Sequence, residues 1–585
     1  MLPLGIFTLL LFWLRGPGGK CSCFCPDSAD FAVNKDIAKQ PRRESDDPED
    51  DPGCGDRPIS AALPDHPSLP DHSPEAPPLD DAAQPLGDAT QPLDDAALPL
   101  DDSDGYSRAL QFLYDRINYE RMSGNTARYP FRLSRMRRLL QRLSLAKYLH
   151  ATEPTTDAVK NGALEPDSAA IGRTVPIVHI AGTKGKGSTA SMVAAALTAG
   201  GNRTGLYTSP HLHRLEERFR IDGIPCQPGH IVRMVDQLRS LLDSSQRSPE
   251  KIGTCSFFEL TTAMALMHFD AQDCDAIVLE VGLGGRLDST NVCSPAVVAI
   301  TPIGLDHQHV LGDTLESIAT EKAGIIKSSA PVVCGISSTD PAMEQVIRVI
   351  SQRADEHGAP LYLRDRDFQF QHSDHPDWGS RVHFRGITPP MTHDMRLDLA
   401  LDGRHQSVNA ATAIAIVDLL REQGFGITVD AAARGIGQLR CPARIERFSL
   451  PHDTVAIVDA AHNKDSIEAL CRCVQRRRGD RSVAVVFGTS RDKSAGDMLP
   501  LLAEVADHIV LTQFAGNPRF TPTEELLPLV PESMEPQTQV AKDPIQACRQ
   551  GLQAVGPGGM LVVCGSFFVA AETRQWIAEQ ETRID

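Results

Sequence analysis

The sequence predicts an α/β protein with a largely parallel β-sheet, followed by a second, smaller α/β domain. From Tyr106 onward, short apolar stretches typical of buried strands alternate with helical stretches, as expected of strand–helix–strand units. A second series of such units begins after Cys441-Pro442, so we place the domain boundary near residue 440. The predicted organisation is an extension over residues 1–104, a first domain over 105–440 and a second domain over 441–585.

The extension is acidic and rich in proline. Residues 44–104 contain eighteen Asp and Glu against one basic residue, Arg57, and carry −17 of the chain's net charge of −18. Pro-Leu recurs every seven residues between Pro78 and Leu100, in units such as DAAQPLG and DATQPLD. A proline in each unit excludes a helical heptad, and the apolar area is too small to offset the loss of chain entropy on folding. We predict a disordered acidic tail, with an interaction motif as the alternative.

The first residues form an apolar stretch, Leu2 to Leu14, that is too short to span a bilayer. It resembles the apolar core of a signal peptide, but no basic region precedes it, and Cys21, Cys23 and Cys25 follow. Export, a lipid anchor and metal binding are the functional interpretations; we favour an upstream extension or a misassigned start. The other cysteines are scattered without C-x-x-C pairs, which predicts reduced thiols, a cytoplasmic location and no membrane association.

The elements of the two domains follow from periodicity. Apolar residues recur at helical spacing in two opening stretches: Ala109, Phe112, Leu113 and Ile117, then Leu133, Met136, Leu139, Leu140 and Leu143. The first domain is predicted to contain strands at 176–181, 276–281, 296–301 and 332–335, with helices at 188–198 and 256–270. The second domain is predicted to contain strands at 455–459, 482–488, 508–512 and 560–564. In parallel sheets of this kind, ligands bind at the carboxyl ends of the strands.

The first strand runs into a glycine-rich turn, Gly182-Thr-Lys-Gly-Lys-Gly-Ser188, and a helix follows. Backbone N–H groups of this turn and the ammonium of Lys186 can hold phosphates, so we predict a nucleotide site. The spacing is not that of the common phosphate loop, which would need glycine at Ile180 and a hydroxyl directly after Lys186, where Gly187 stands. The alternative, a glycine turn without a ligand, fits the flanking strand and helix less well.

Polar groups also stand at the ends of three further apolar stretches. Ser209 follows one, Glu280 ends the second, and Asp306 with His307 follows the third. A buried strand tolerates a carboxylate poorly unless a cation or hydrogen bonds compensate it. One such residue alone would more often be a satisfied core group, but three strand ends together favour a metal site.

Five motifs occur in the order found in one enzyme family: SPHL, LEVGLGGRLDSTN, LDHxxxLGDTLExIAxEKAGIIK, HQSVNAATA and DxAHN. From Tyr106 to about Ile577 the chain thus resembles the folylpolyglutamate synthase and dihydrofolate synthase family, relatives of the Mur ligases. The resemblance implies a P-loop ATPase-like Mur ligase central domain and a C-terminal Rossmann-like domain. It also implies ATP-dependent addition of L-glutamate to folates, and of L-glutamate to dihydropteroate, with ATP and Mg²⁺ as cofactors.

The resemblance assigns roles to individual residues. Ser209, Glu280 and His307 hold magnesium, and Lys322 is the lysine that is carbamylated in many relatives. The implied catalytic residues are Lys186, Lys322, His307 and Glu280. The implied ATP-binding residues are Gly182, Thr183, Lys184, Gly185, Lys186, Gly187, Ser188, Thr189, Asn409, Arg444, Asp459 and His462. Arg286 and Asp288 of the GGRLD turn are candidate substrate-binding residues, with a salt bridge within the turn as an equal alternative.

Some positions depart from the family pattern, and they affect substrate preference more than catalysis. DAAHNK replaces the usual DGAHNP, Lys184 stands where many members have asparagine, and Phe568 stands in a segment where bifunctional members often have histidine. The alternatives are a Mur-type peptidoglycan ligase, which would need an additional domain ahead of Gly182, and a non-catalytic ATP-binding module. We expect small-molecule partners and a monomer; the near-neutral folded part lacks the basic stripe of a nucleic-acid-binding protein.

Overall fold

The computed structural model describes residues 103–118, 132–150, 175–245, 251–327 and 329–581. The predicted disordered tail and the apolar N-terminal stretch lie outside these ranges, except that a helix begins at Ser103, two residues before the predicted start of the first domain. No helix within the described ranges has the length and apolar character needed to cross a membrane.

The helices of the first domain are α1 (Ser103–Tyr114), α2 (Leu133–Arg142), α3 (Lys186–Ala199), α4 (Pro228–Ser245), α5 (Phe257–Ala271), α6 (Gln308–Leu311), α7 (Leu315–Ala323), α8 (Glu344–Glu356), α9 (Arg404–Glu422) and α10 (Val429–Gln438). Its strands are β1 (Ile177–Ala181), β2 (Thr204–Tyr207), β3 (Phe219–Ile221), β4 (Ile224–Pro225), β5 (Ala276–Glu280), β6 (Val297–Ile300), β7 (Val332–Ser337), β8 (Leu361–Arg364), β9 (Phe368–Asp374), β10 (Ser380–Gly386) and β11 (Asp394–Leu399).

The second domain has the strands β12 (Glu446–Leu450), β13 (Thr454–Val458), β14 (Val483–Phe487), β15 (His508–Leu511), β16 (Thr538–Val540) and β17 (Met560–Cys564). Its helices are α11 (Lys464–Arg477), α12 (Ala495–Ala503), α13 (Thr523–Leu526), α14 (Pro544–Val555) and α15 (Phe567–Glu581). The predicted boundary near residue 440 falls in the link between α10 and β12.

In the described part of the first domain, eleven strands form one sheet in the order β11-β10-β9-β8-β7-β6-β1-β5-β2-β3-β4. The strands from β9 to β2 in this order are parallel, and β1 lies among them, between β5 and β6. All five residues of β1 are buried, and Ile180 is paired with both Glu280 and Ala299. The glycine-rich turn therefore starts at the centre of the parallel sheet, at its carboxyl edge.

Helices cover both faces of this sheet. On one face, α3, α9 and α10 pack against the strands through residues such as Leu197 and Ile414. On the other face lie α1, α2, α4 and α5 beside α7 and α8. Helices α3 and α9 are apolar around most of their circumference because each lies between the sheet and another helix. This packing fixes the helix that begins at the glycine-rich turn.

An antiparallel extension, β9 to β11, was absent from the sequence prediction. β11 alternates exposed and buried residues, and its buried face packs under α9 and α10. The alternation is the signature of a strand with one solvent-facing side. The second sheet, with the order β12-β13-β17-β14-β15-β16, is parallel except for the β12–β13 pair. Its strands at 454–458, 483–487, 508–511 and 560–564 lie within one residue of the predicted ranges.

Candidate active site

The glycine-rich turn needs glycine at two positions for steric reasons. Gly182 has φ of 149°, and a Cβ there would lie 1.9 Å from Thr301 Oγ1. Gly185, with φ of 81°, is the residue before α3, and a Cβ there would lie 2.1 Å from Asn409 Oδ1. Larger residues are excluded by these contacts and by the left-handed backbone. Asn409 of α9 therefore braces the turn from outside, and its Nδ2 is held by Gln406 Oε1 at 3.0 Å.

Two of the backbone donors predicted to face phosphate are used elsewhere. The N–H groups of Thr183 and Lys184 both donate to Pro302 O at 3.0 Å, which ties the turn to the end of β6. In this structure the Pro302 carbonyl thus takes both groups, and their contact with phosphate stays a prediction. No side chain caps α3, so the N–H groups of Lys186, Gly187 and Ser188 at its start are available to an anion.

Glu280 ends β5 directly beside this turn. The residue is 4% exposed, and its carboxylate accepts a hydrogen bond from Ser209 N at 3.0 Å and lies 3.3 Å from where a Cβ on Gly187 would be. Burial raises the pKa of Glu280, while Lys186, the Ser209 amide and Arg444 oppose that shift. A buried carboxylate at a phosphate-binding turn is in the position that suits a divalent cation shared with phosphate.

His307 directly precedes α6 and has a left-handed conformation with φ of 50°. Partial burial lowers its pKa to about 4, an effect that Asp306 opposes and Lys493, Lys186 and Lys322 reinforce. The imidazole is therefore neutral at physiological pH, which is the form that binds metals. Within the described residues, no three His, Cys, Asp or Glu side chains cluster as a metal site.

Lys322 of α7 reaches the same turn from the other side. It is buried, and its Nζ donates to Gly182 O at 2.8 Å. Burial, together with the nearby Lys186, lowers the pKa of Lys322 to about 7. Gly285 allows this approach, because a Cβ there would lie 2.6 Å from Glu321 O and 3.0 Å from the Lys322 Cα.

The second domain brings its predicted residues to the same region. The Arg444 guanidinium stacks over Phe567 at 4.9 Å and is one of the charges that lower the pKa of Glu280. Asp459 is held by its own domain: its oxygens accept from Ile445 N at 2.6 Å and Ala461 N at 2.7 Å. The His462 Nδ1 pairs with Ala460 O at 2.8 Å. A cavity at the domain junction is lined by Gly187, Ser188, Ser209 and Glu280 from the first domain and by Pro442, Arg444 and Phe567 beyond it.

Comparisons with known proteins agree with the motif resemblance. Residues 180–417 match the Mur ligase middle domain, and residues 443–567 match the Mur ligase, glutamate ligase domain. The dihydrofolate synthase/folylpolyglutamate synthase of Bacillus subtilis is 34% identical over 57% of this chain and 76% of its own length. The folylpolyglutamate synthase of Lacticaseibacillus casei is 32% identical over 68% of this chain and 89% of its own length. The chain belongs to the folylpolyglutamate synthase and dihydrofolate synthase family.

The solved structures of this family share the fold. Mycobacterium tuberculosis folylpolyglutamate synthase, complexed with ADP and AMPPCP, matches with a TM-score of 0.66 and 28% identity over 81% of this chain and 98% of its own. The predicted α/β architecture, with a Mur ligase central domain and a second α/β domain, is therefore confirmed. The protein is an ATP-dependent ligase of the Mur type.

The chain's residues fit the ATP and Mg²⁺ that this family implies. Thr189 Oγ1 is buried at the first turn of α3 without a hydrogen-bond partner among the described residues. The uncapped start of α3 and the Lys186 ammonium complete an anion-binding cradle. Glu280 and the Ser209 hydroxyl offer the hard oxygen ligands that Mg²⁺ takes together with substrate phosphates.

In this ligase the GGRLD turn is held by hydrogen bonds to α7 and to neighbouring loop residues. Arg286 Nε and Nη2 bond Glu321 Oε1 at 3.0 and 2.7 Å. The buried Asp288 carboxylate accepts from Gly282 N, Leu283 N, and the amide and hydroxyl of Thr290. Four bonds fill the acceptor positions of a carboxylate. Arg286 and Asp288 thus have separate partners and do not form the salt bridge within the turn, and their role in substrate binding stays a prediction.

Two charged residues near the site, Arg218 and Lys493, were missed by the sequence reasoning. Arg218 is fully buried, bonds His211 Nδ1 at 2.8 Å and helps lower the pKa of Glu280. Lys493 of the second domain pairs with Asp306 at 3.1 Å. Burial would raise the pKa of Asp306, but His307 and Lys493 hold it well below its usual value. The only sequence signals were an Arg ahead of a short strand and the pair Asp492-Lys493 after a buried strand.

Proposed function

We propose that this ligase joins L-glutamate to folates, using ATP to activate the folate carboxylate, and that it also converts dihydropteroate to dihydrofolate. The observation that carries the proposal is the buried Glu280 carboxylate, set against the phosphate-binding turn and within the field of Arg444 from the glutamate ligase domain. The names of the relatives support the same reaction for those proteins.

A carboxylate is a poor electrophile, so an amide forms from it only after its oxygen is made part of a leaving group. The substrate carboxylate oxygen attacks the γ-phosphorus of ATP, the bond to the bridging oxygen breaks, and ADP leaves. The amine of L-glutamate then attacks the carbonyl carbon of the acyl phosphate. Phosphate departs, the amine nitrogen loses a proton, and the amide bond remains.

The chain's own residues position and neutralise the phosphates. The Lys186 ammonium and the first-turn N–H groups of α3 stabilise negative charge on the transferring group, which is the main source of catalysis in phosphoryl transfer. When bound, Mg²⁺ would supply further positive charge to the transferring phosphate. Glu280, Ser209 and His307 would hold it, and Arg444 adds charge from the second domain.

Lys322 is expected to carry a carbamate. Its amine is substantially neutral near pH 7 because its pKa is lowered to about 7, and only the neutral amine can attack carbon dioxide. In this reaction an N–C bond forms and the nitrogen loses a proton. The fraction of carbamylated protein should rise from about pH 6 to about pH 8, as the amine deprotonates. Intact-protein mass spectrometry and ¹³C NMR with labelled bicarbonate, in the presence of Mg²⁺ and AMPPCP, would detect it.

The matched control for Lys322 is Lys327, which is also buried and whose pKa is lowered to about 8. Its Nζ bonds both oxygens of Asn291, at 2.5 and 2.7 Å, so it is engaged as a hydrogen-bond donor. We expect the ¹³C signal to vanish in Lys322→Ala, with a severe loss of ligation, and to persist in Lys327→Met if that variant folds. An unmodified Lys322 together with an active Lys322→Ala variant would rule out the carbamate.

The function is tested by one assay with two substrates. Purified protein, Mg²⁺·ATP and labelled L-glutamate are incubated with dihydropteroate or with tetrahydrofolate, and labelled products and phosphate are measured. We expect glutamate-dependent phosphate release with both. Reaction with glutamylated folates alone would limit the enzyme to folylpolyglutamate synthesis and would point to Phe568, whereas no reaction with either substrate would refute the proposal.

Cytoplasmic location and a monomeric state belong to the same proposal. The cysteines of the described residues are free thiols, mostly buried, and burial raises the pKa of Cys471 to about 12, so it is inert at physiological pH. This suits a reducing compartment. The partners are small molecules, with neither nucleic acid nor a membrane. A peptidoglycan ligase is the weaker candidate because the described helices α1 and α2 pack into the first domain itself.

A further inference from the structure

A second cavity lies at the domain junction, between the first turns of α9 and the middle of α11. Its volume is about 300 Å³. The lining residues are Arg404, His405, Val408, Ala469, Arg472 and Arg476. We call it the arginine cleft. None of the residues that line it is acidic, and none belongs to the predicted ATP or metal set.

The positive charge in the arginine cleft is only partly balanced by its surroundings. Arg472 lies 3.7 Å from Glu468 on its own helix, and Arg476 lies 3.1 Å from Asp374. The Arg404 guanidinium is 5.4 Å from the centre of the Phe370 ring, and the described residues give it no carboxylate partner. Three arginine side chains thus line the cavity, and two of them have a carboxylate within 4 Å.

The backbone adds to this field. Helix α9 starts at the cleft after Gly403, whose φ is 98°; no side chain caps it, and its first turn holds no acidic residue. The amino end of a helix carries partial positive charge. His405 lies on this turn. Burial and the nearby Arg444, Arg472 and Arg476 together lower the pKa of His405 to about 4. Two of the three arginines have a carboxylate nearby, so Arg404 and the amino end of α9 supply the uncompensated positive charge that an anion would meet.

We propose that the arginine cleft binds a small polyanion bearing at least two carboxylate or phosphate groups. The planar forks of Arg404 and Arg472 suit bidentate contact with such groups, and the volume suits a ligand of that size. Two kinds of ligand carry such groups: a γ-linked glutamyl chain, which has several carboxylates, and an inorganic polyphosphate. The site is separate from the phosphate-binding turn, and the proposal does not depend on the proposed function.

Occupancy of the cleft would act on the nucleotide site through α9. Asn409 stands one turn beyond His405 on this helix, and its Oδ1 lies against the backbone of Gly185. An anion bound at the first turn of α9 would therefore restrict the motion of Asn409, which contacts the phosphate-binding turn. We expect a bound polyanion to lower the KM for ATP rather than to raise kcat.

The test is calorimetric titration of the full-length protein with pyrophosphate and, separately, with tri-γ-glutamate. Saturating Mg²⁺·AMPPCP is present so that the phosphate-binding turn is already filled. The variant is Arg404→Gln/Arg472→Gln, in which both side chains are exposed, so folding should be unaffected. The matched control is Arg348→Gln. Arg348 is 63% exposed, as Arg472 is, and it also pairs with a glutamate one turn away, Glu344.

We expect the wild-type protein and Arg348→Gln to bind at least one probe with equal affinity. The double variant should bind it at least tenfold more weakly, and the probe that binds identifies the source of the anion. Equal binding by the double variant, or no binding of either probe by the wild type, would overturn the proposal. Glutamate ligation is assayed in parallel: a protein that binds the polyanion but ligates no glutamate contradicts only the proposed function.

Discussion

Glu280→Gln is expected to lower kcat by roughly 10³-fold or more while leaving the metal-free protein as stable as the wild type or slightly more stable. The amide keeps the shape of the side chain but removes the charge that would hold Mg²⁺ at the phosphates. The wild-type carboxylate is buried, with the Ser209 amide as its direct donor, so its ionised form costs stability. Activity and stability should therefore change in opposite directions.

The pH dependence has a defined sign. Burial raises the folded-state pKa of Glu280 above its unfolded value. Such a carboxyl group contributes stability that is fully present below the unfolded pKa and is lost as pH rises through the folded pKa. Relative to Glu280→Gln, the wild type should lose stability as pH rises above the unfolded pKa of a glutamate, about 4.3, and through the raised folded-state pKa. Urea unfolding of both proteins in the presence of a chelator measures this difference.

Glu259 provides the matched control, since it is another buried glutamate of the same domain. It is 6% exposed, bonds Arg135 Nε at 2.8 Å and caps α5 through Ser256. Glu259→Gln should therefore destabilise the fold by about 1–3 kcal/mol and leave the chemistry largely intact. Wild-type turnover by Glu280→Gln, or equal activity losses in the two variants, would contradict the assigned role of Glu280.

The sequence predicted the centre of the fold and the core of the site because the residues that form them are close together along the chain. Strand β1, the turn after it and helix α3 are contiguous, and the glycine spacing specifies the turn before any tertiary contact is known. Glu280 stood out for a similar reason, since a carboxylate at the end of an apolar run needs compensation wherever the strand lies. The register of β1 and β5 then brings Ile180 and Glu280 side by side.

The rest depended on contacts between distant parts of the chain. The ion pair of Lys493 with Asp306 joins residues of two domains. Asp306 was marked by its place after an apolar stretch, but no local pattern identifies Lys493 as its partner. The competition of Pro302 O for two backbone donors of the turn follows from the adjacency of β1 and β6, which periodicity does not give. The arginine cleft arises in the same way, from the meeting of α9 with α11. These features depend on how distant elements pack against one another, and a single sequence carries little information about that packing.

Lys186→Ala is expected to lower kcat/KM by roughly 10³-fold or more, whereas Lys184→Ala, two residues away in the same turn, should have a much smaller effect. The Lys184 ammonium forms an ion pair with Asp465 of α11, so its charge is neutralised by a contact between the two domains. The Lys186 ammonium acts within the site: it opposes the shift in the pKa of Glu280 and helps lower that of Lys322.

Comparing the two variants thus distinguishes a lysine whose charge acts on phosphate from a lysine whose charge is paired with a carboxylate. Phosphate release at saturating and limiting ATP, measured for both variants, gives kcat and KM separately. For Lys186→Ala, kcat should fall because the interaction strengthens as charge develops on the transferring group; for Lys184→Ala, the change should be confined to KM. Since neither side chain is part of the apolar core, both variants should unfold at wild-type urea concentrations. Lys186→Ala with wild-type kcat, or a larger loss for Lys184→Ala than for Lys186→Ala, would show that phosphate is bound elsewhere.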